Sequence, residues 1–173
     1  MAAFRPEMEA CPCCGCRGNC RIHAYYYRYI LDFRKGKPRC ARIRVMRVMC
    51  SCGHTHAILP DFIVPYRQHS LKYLVQALFA FYARRKPIPW ICSHFCIDPA
   101  FLYRLKTLYG EHKGLWLGGM GDARTDSLGF LRSLCLTPDP SGFLHGFYLR
   151  TSFSFLQSHR NPAANCDGCA LGR

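Results

Sequence analysis

Two cysteine clusters constrain this chain more than any other feature: Cys11-Pro12-Cys13-Cys14-Gly15 and Cys50-Ser51-Cys52-Gly53. In the first, two thiols flank a tight turn. The glycine after the second thiol lets backbone amides turn toward sulfur. Zinc takes four thiolate or imidazole ligands in a tetrahedron, so one pair at each end of a hairpin is the pattern of a zinc ribbon. The ligands read from the spacing are Cys11 and Cys14, then Cys50 and Cys52. Cys13 and Cys16 share the C-x2-C spacing and stay open as alternatives. With Cys20 they are spare thiols or part of a second site. The second knuckle is spaced C-x-C, because Met49 stands where a first ligand is usual, and His54 or His56 could replace a cysteine there. The late pair Cys166 and Cys169 has no partner pair near it in sequence.

Thirteen cysteines among 173 residues would suggest disulfides in a secreted protein. The opening MAAFRPEMEACPCC lacks the apolar core of a signal peptide, so metal ligation in a cytoplasmic protein is the expectation. No apolar run reaches the roughly 18 residues of a membrane span.

Residues 22–34, between the clusters, are rich in Tyr and β-branched side chains. Residues 40–49 alternate Arg42 and Arg44 with Ile43 and Val45, a period-two strand with one wet face. The alternation slips at residues 46–49, which predicts a bulge, and the basic stretch 34–39 predicts the turn. Lys37, Arg42 and Arg44 are the candidate phosphate contacts of this hairpin.

Residues 57–66 are an apolar connector with two prolines. Ser70 is placed to cap a helix running to about residue 84. Pro87 and Pro89 end it and begin a second helix over 90–95. After a turn at Cys96-Ile97, Asp98 caps a third helix with Pro99 at its first position, ending near Gly110. Three helices with a short turn before the third is the helix-turn-helix plan. Phe101, Leu102, Leu105 and Leu108 share the core face. Tyr103, Arg104, Lys106 and Thr107 are left outside, and these side chains can read base edges and hold phosphates. The glycine-rich stretch 110–127 reads as a linker, and 127–136 as a short amphipathic helix. Residues 143–157 read as a core-completing element or a partner-binding surface. The fold class expected is α+β: a zinc-ribbon hairpin and connector over 1–66, a helix-turn-helix over 67–117, and a small C-terminal extension over 118–173.

Lys and Arg number 24 against 10 acids, a formal charge of +14. That balance favours a polyanionic partner, with nucleic acid ahead of an anionic membrane surface. A nuclease or transposase of the two-metal kind needs converging carboxylates. The acids after the predicted third helix begins its last turn are Glu111, Asp122, Asp126, Asp139 and Asp167, mostly in Gly/Pro-rich stretches. With no P-loop and no G-x-G-x-x-G either, a binding protein is expected rather than an enzyme.

The stretches CPCCG, HAYYYR (His23, Tyr25, Arg28), RVMCSCGHTHAILPDFIVPY and YRLKTLY resemble the zinc-ribbon plus helix-turn-helix front end of transposase-related proteins from bacterial mobile elements. The likeness spans residues 11–117 and looks closest to an uncharacterised domain family of Firmicutes. The resemblance implies zinc binding and recognition of element-end duplex DNA. Two departures stand out: the C-x-C spacing at the fourth ligand, and Cys96 where the helix-turn-helix turn usually has a small residue. The rival expectation is an RNA-binding or assembly subunit of a nucleoprotein complex, using the aromatic run at 25–29 to stack on bases.

Overall fold

The computed structural model describes residues 5–118, 126–137 and 140–158. Three strands precede five helices: β1 (Cys20–Arg34), β2 (Lys37–Cys50) and β3 (Thr55–Ile58), then α1 (Leu71–Ala83), α2 (Ile88–Phe95), α3 (Pro99–Gly118), α4 (Ser127–Leu136) and α5 (Ser141–Thr151). The strands form one sheet in the order β1-β2-β3. The turn between β1 and β2 is shorter than the basic stretch predicts. Only Lys35 and Gly36 lie outside the strands, both at positive φ (50° and 73°), the signature of the primed two-residue turn that matches strand twist. Pro38 and Arg39 therefore belong to β2. Met46 through Met49 pair without interruption with Ile58 through Thr55. The bulge expected there is absent on the β3 side.

The described chain forms two compact units, one over residues 5–28 and 42–60, the other over 29–41 and from 61 onward. The first has a small core of Cys11, Cys20, Val48 and Cys50, with Met46 and Ile58 packed against it. A core this small contributes little by burial alone.

The second unit is built around helices. Ser70 caps α1, its Oγ accepting the Tyr73 amide at 3.1 Å and donating to Asp32 Oδ1 at 2.7 Å. Asp32 is buried, which raises its pKa. Ser70, the Arg34 guanidinium and the Phe33 amide outweigh that and hold the carboxyl below its usual value. Backbone bonds from Leu31 to Gln68 O (2.7 Å) and from Ser70 to Leu31 O (2.8 Å) fasten the hairpin tip to the start of α1. Asp98 caps α3, accepting the Phe101 amide at 2.7 Å.

Gly110 does not end α3, which continues to Gly118. Each interior glycine costs a helix about 1 kcal/mol relative to alanine. Burial of Tyr109, His112 and Leu117 offsets that cost, and Trp116 packs edge-on against Phe143 at 5.0 Å. The stretch expected as a linker is thus half helix. The α4 helix occupies the predicted span. Helices α4 and α5 do not stand apart as an extension, because Phe130, Leu131, Phe147, Phe155 and Leu156 join the core formed by α1–α3. Among the described residues no helix is long and apolar enough to cross a membrane.

His112 lies buried in this core. Its Nδ1 accepts the Leu156 amide at 2.9 Å, and Phe153 and Phe147 lie 5.0 and 5.3 Å from its ring. Burial first, and Arg67 second, push its pKa down to about 4 from 6.5. An unfolded chain therefore binds a proton that the native one refuses between those two values. Stability from this group is intact above pH 6.5 and is lost as pH falls toward 4. Thermal unfolding at pH 7.5, 6 and 5 should show a falling midpoint. His112→Gln, which keeps an acceptor but cannot titrate, should flatten that dependence, and an unchanged slope in the variant would count against this role.

Candidate metal centre

The two knuckles solve the same backbone problem with loops of different length. In the first, the Gly15 amide donates to Cys11 O at 2.8 Å and the Cys11 amide to Cys16 O at 3.0 Å. In the second, the Gly53 amide donates to Cys50 O at 2.9 Å and the Cys50 amide to His54 O at 2.9 Å. Gly15 and Gly53, each directly after a cysteine, sit at φ of 70° and 84°, a left-handed conformation that glycine adopts without steric cost. The second loop bonds back three residues instead of four. The C-x-C spacing is accommodated by this one-residue-tighter turn.

The result is a convergence of four sulfurs. Cys11, Cys14, Cys50 and Cys52 offer Sγ atoms that all lie within 4.8 Å of one another, an arrangement that could hold a metal ion. Cys11 and Cys52 are 3.7 Å apart, as are Cys14 and Cys50, far beyond the S–S length of about 2.05 Å in a disulfide. Cys11 and Cys50 are buried, and Cys14 and Cys52 face solvent. Backbone amides already favour the anionic form. The Cys52 amide, with the neighbouring thiols, lowers the Cys50 pKa to about 6. The His54 amide does the same for Cys52, but burial and the three adjacent sulfurs prevail and raise it to about 12. Sulfurs this crowded do not all ionise unless a cation sits among them.

The three other cysteines near the first knuckle stay outside the group. Cys20 is buried beside Cys50, with its pKa raised chiefly by burial; Cys13 is half-buried and Cys16 exposed. Neither histidine substitutes for a cysteine. His54 contributes its backbone, and its ring stacks 6.1 Å from that of His56. The His56 nitrogens are buried without a hydrogen-bond partner, with Nε2 3.9 Å from Glu9 Oε1. Cys166 and Cys169 lie outside the described residues.

The cationic candidates fall into two groups. In the first unit, Arg44 stacks over Tyr25 and Arg42 over Tyr27, at 3.8 and 4.0 Å from the ring centroids. Cation–π contact of this kind holds a guanidinium over the ring while its N–H edges stay open. In the second unit, Lys37 is exposed on β2, and Tyr103, Arg104, Lys106 and Thr107 are exposed on α3 opposite the fully buried Leu102 and Leu105. The Thr107 hydroxyl bonds back to Tyr103 O at 3.2 Å, and the Tyr103 ring meets Phe81 edge-on at 5.9 Å. Sequence reading missed the cations that the fold sets beside α3, namely Arg67, Arg84 and Lys86. The run Arg84-Arg85-Lys86 is visible as a basic turn, but its nearness to a helix some twenty residues later is not.

Residues 11–85 match a family described as a domain of unknown function (DUF6431). That span takes in both knuckles, the hairpin and α1, and stops short of α2 and α3. No curated protein and no solved structure matches the chain.

Replacing Cys11 or Cys14 with Ser should lower the metal content of the purified protein, read by elemental analysis. Cys16→Ser should leave it unchanged. Equal metal content in all three variants would reject this ligand set.

Proposed function

We propose that this chain is a zinc-stabilised protein that binds duplex DNA and belongs to the machinery of a mobile genetic element. The observation that carries the reading is the division of α3: Leu102 and Leu105 fully buried, with Tyr103, Arg104, Lys106 and Thr107 exposed on the other side. Before α3 come the eight-residue α2 and a connection of only Cys96, Ile97 and Asp98. A short helix, a three-residue connection and a longer helix with a polar outer face support a helix-turn-helix reading, in which the second helix enters the major groove. Cys96 takes the left-handed turn position at φ 48°, the conformation for which a glycine is usual.

Zinc is the metal favoured by four thiolates. With Zn–S bonds of about 2.3 Å, a tetrahedron puts its sulfurs roughly 3.8 Å apart, and the two close pairs here are at 3.7 Å. In this reading the ion folds the ribbon and takes no part in chemistry, and the protein is a cytoplasmic binder rather than an enzyme. Lys37, Arg42 and Arg44 hold phosphates and supply affinity without sequence choice. Tyr103, Arg104, Lys106 and Thr107 supply the choice. The mobile-element association rests on the resemblance of residues 11–117 to transposase-related front ends.

One observation favours a second reading, an RNA-binding or assembly subunit. Tyr25 and Tyr27 are 44% and 58% exposed, and aromatic side chains on a basic strand suit unpaired bases.

Binding of the full chain to duplex, single-stranded DNA and RNA pools across a salt series tests the choice. Duplex should bind most tightly, with affinity falling steeply as salt rises and lost when zinc is stripped. Arg104→Ala should relax sequence preference, costing about 1–3 kcal/mol at its base, whereas Arg42→Ala should weaken all sequences alike. Uniform loss in both variants would show that α3 does not read bases.

A further inference from the structure

The outer surface of α3 is not flat. Tyr103 stands between two hollows. One, of about 350 Å³, is enclosed by Tyr103 and Lys106 of α3 and by Arg84, Lys86 and Pro87 from the loop joining α1 to α2. Three cations line it and no acid does. Phe81, held edge-on against Tyr103, forms part of its wall. Lys86 Nζ also lies 5.1 Å over the Trp90 ring, which restricts its reach to this neighbourhood. Among the described residues, Arg84, Lys86 and Lys106 form no salt bridge and no acid lines the hollow.

The second hollow, of about 690 Å³, is lined by Tyr103, Arg104, Thr107 and Glu111 of α3 together with Arg67. Arg67 Nε donates to Leu156 O at 2.9 Å, which pins its guanidinium beside α3. A helix turn of about 3.6 residues sets Lys106 on one side of Tyr103 and Arg104 and Glu111 on the other. The two hollows therefore flank the same ridge. Arg84 and Lys86 in the first and Arg67 in the second come from segments outside α3, and Lys106 and Arg104 from α3 itself.

We infer that these hollows are phosphate seats, the Arg84–Lys86–Lys106 hollow foremost, and that they hold the backbones of the two strands on either side of α3. The ligand class is the phosphodiester of duplex DNA. A major groove about 12 Å wide just admits a helix of about 10–12 Å, so a helix seated there has a phosphate wall on each flank. Cations set back in hollows beside the ridge meet those walls while Tyr103 and Arg104 reach inward. The acid-free hollow is the stronger seat, since Glu111 opposes an anion in the other. This inference rests on the duplex-binding reading. It adds Arg84, Lys86 and Arg67 as the groups that set the depth and register of α3.

The test uses the full chain, zinc-loaded, and a labelled mixed-sequence 20-base-pair duplex over a salt series. Arg84→Asn keeps a residue tolerant of the left-handed conformation found at Arg84, and it is combined with Lys86→Gln. Arg132→Gln, removing an exposed cation of α4, controls for net charge. If the hollow is a seat, the double variant binds about tenfold or more weakly than wild type. Its log–log salt slope should be shallower by about 1.8, or roughly 0.9 per lost phosphate contact, with its ranking of sequences unchanged. Arg132→Gln should differ little from wild type. A wild type that binds duplex while the double variant matches Arg132→Gln overturns the seat and leaves the duplex reading standing. A changed ranking of sequences also overturns it, because the hollow would then touch bases. Failure of the wild type to bind duplex removes the parent reading and the seat with it.

Discussion

Four sulfurs within 4.8 Å of one another join stretches of chain some forty residues apart. Among the described residues, the unit they close buries little else: Cys20, Val45 and Val48, with Met46 and Ile58 alongside. Thiols in such proximity are a poor core when empty, since each thiolate discourages the next. With a thiophilic cation among them the same crowding becomes the main attraction in the unit. The backbone is arranged for that state, with Gly15 and Gly53 in left-handed turns and amides from Cys52 and His54 aimed at sulfur. What this clasp orders is a basic ribbon. Within that unit, residues 10–28 and 42–60 carry six arginines (residues 17, 21, 28, 42, 44 and 47) and no acid. Two of those arginines lie pinned on tyrosine rings.

The helical unit depends on a different force. Its core is large and aromatic, with Tyr73, Tyr109, Phe147 and Phe155 among its fully buried side chains. Several polar atoms inside it are matched: the Tyr73 hydroxyl donates to Phe95 O, the Tyr109 hydroxyl to Ser127 O, and His112 accepts from Leu156. That satisfaction lets a buried histidine remain neutral and structural. It also fixes α3 from behind, so the exposed side of α3 is rigid. A rigid ridge with cations set on both flanks is what groove binding needs.

Function on this view is divided by mechanism. On the proposed reading, charge spread over the hairpin and the hollows would hold a polyanion wherever it lies, and four side chains on one helix face would distinguish one stretch of DNA from another. On that reading neither task needs a reactive group.

Much of this was legible in the chain itself, because the signals are local. Paired thiols with proline and glycine at fixed offsets, the caps at Ser70 and Asp98, the end of α2 before Cys96, and the span of α4 each follow from a few consecutive residues, although α2 begins at Ile88, two residues ahead of the expected start at Trp90. Their chemistry leaves the backbone few choices. Tertiary structure alone decided the rest. It brought Cys52, and neither His54 nor His56, into the cluster with Cys11, Cys14 and Cys50, through a turn one residue tighter than the first knuckle's. It carried α3 through Gly110, where Phe130 of α4 packs on Tyr109 and Phe147 of α5 on His112. It also set Arg84, Lys86 and Arg67 beside Tyr103. Those outcomes turn on burial and on distances between remote segments, which residue order does not contain.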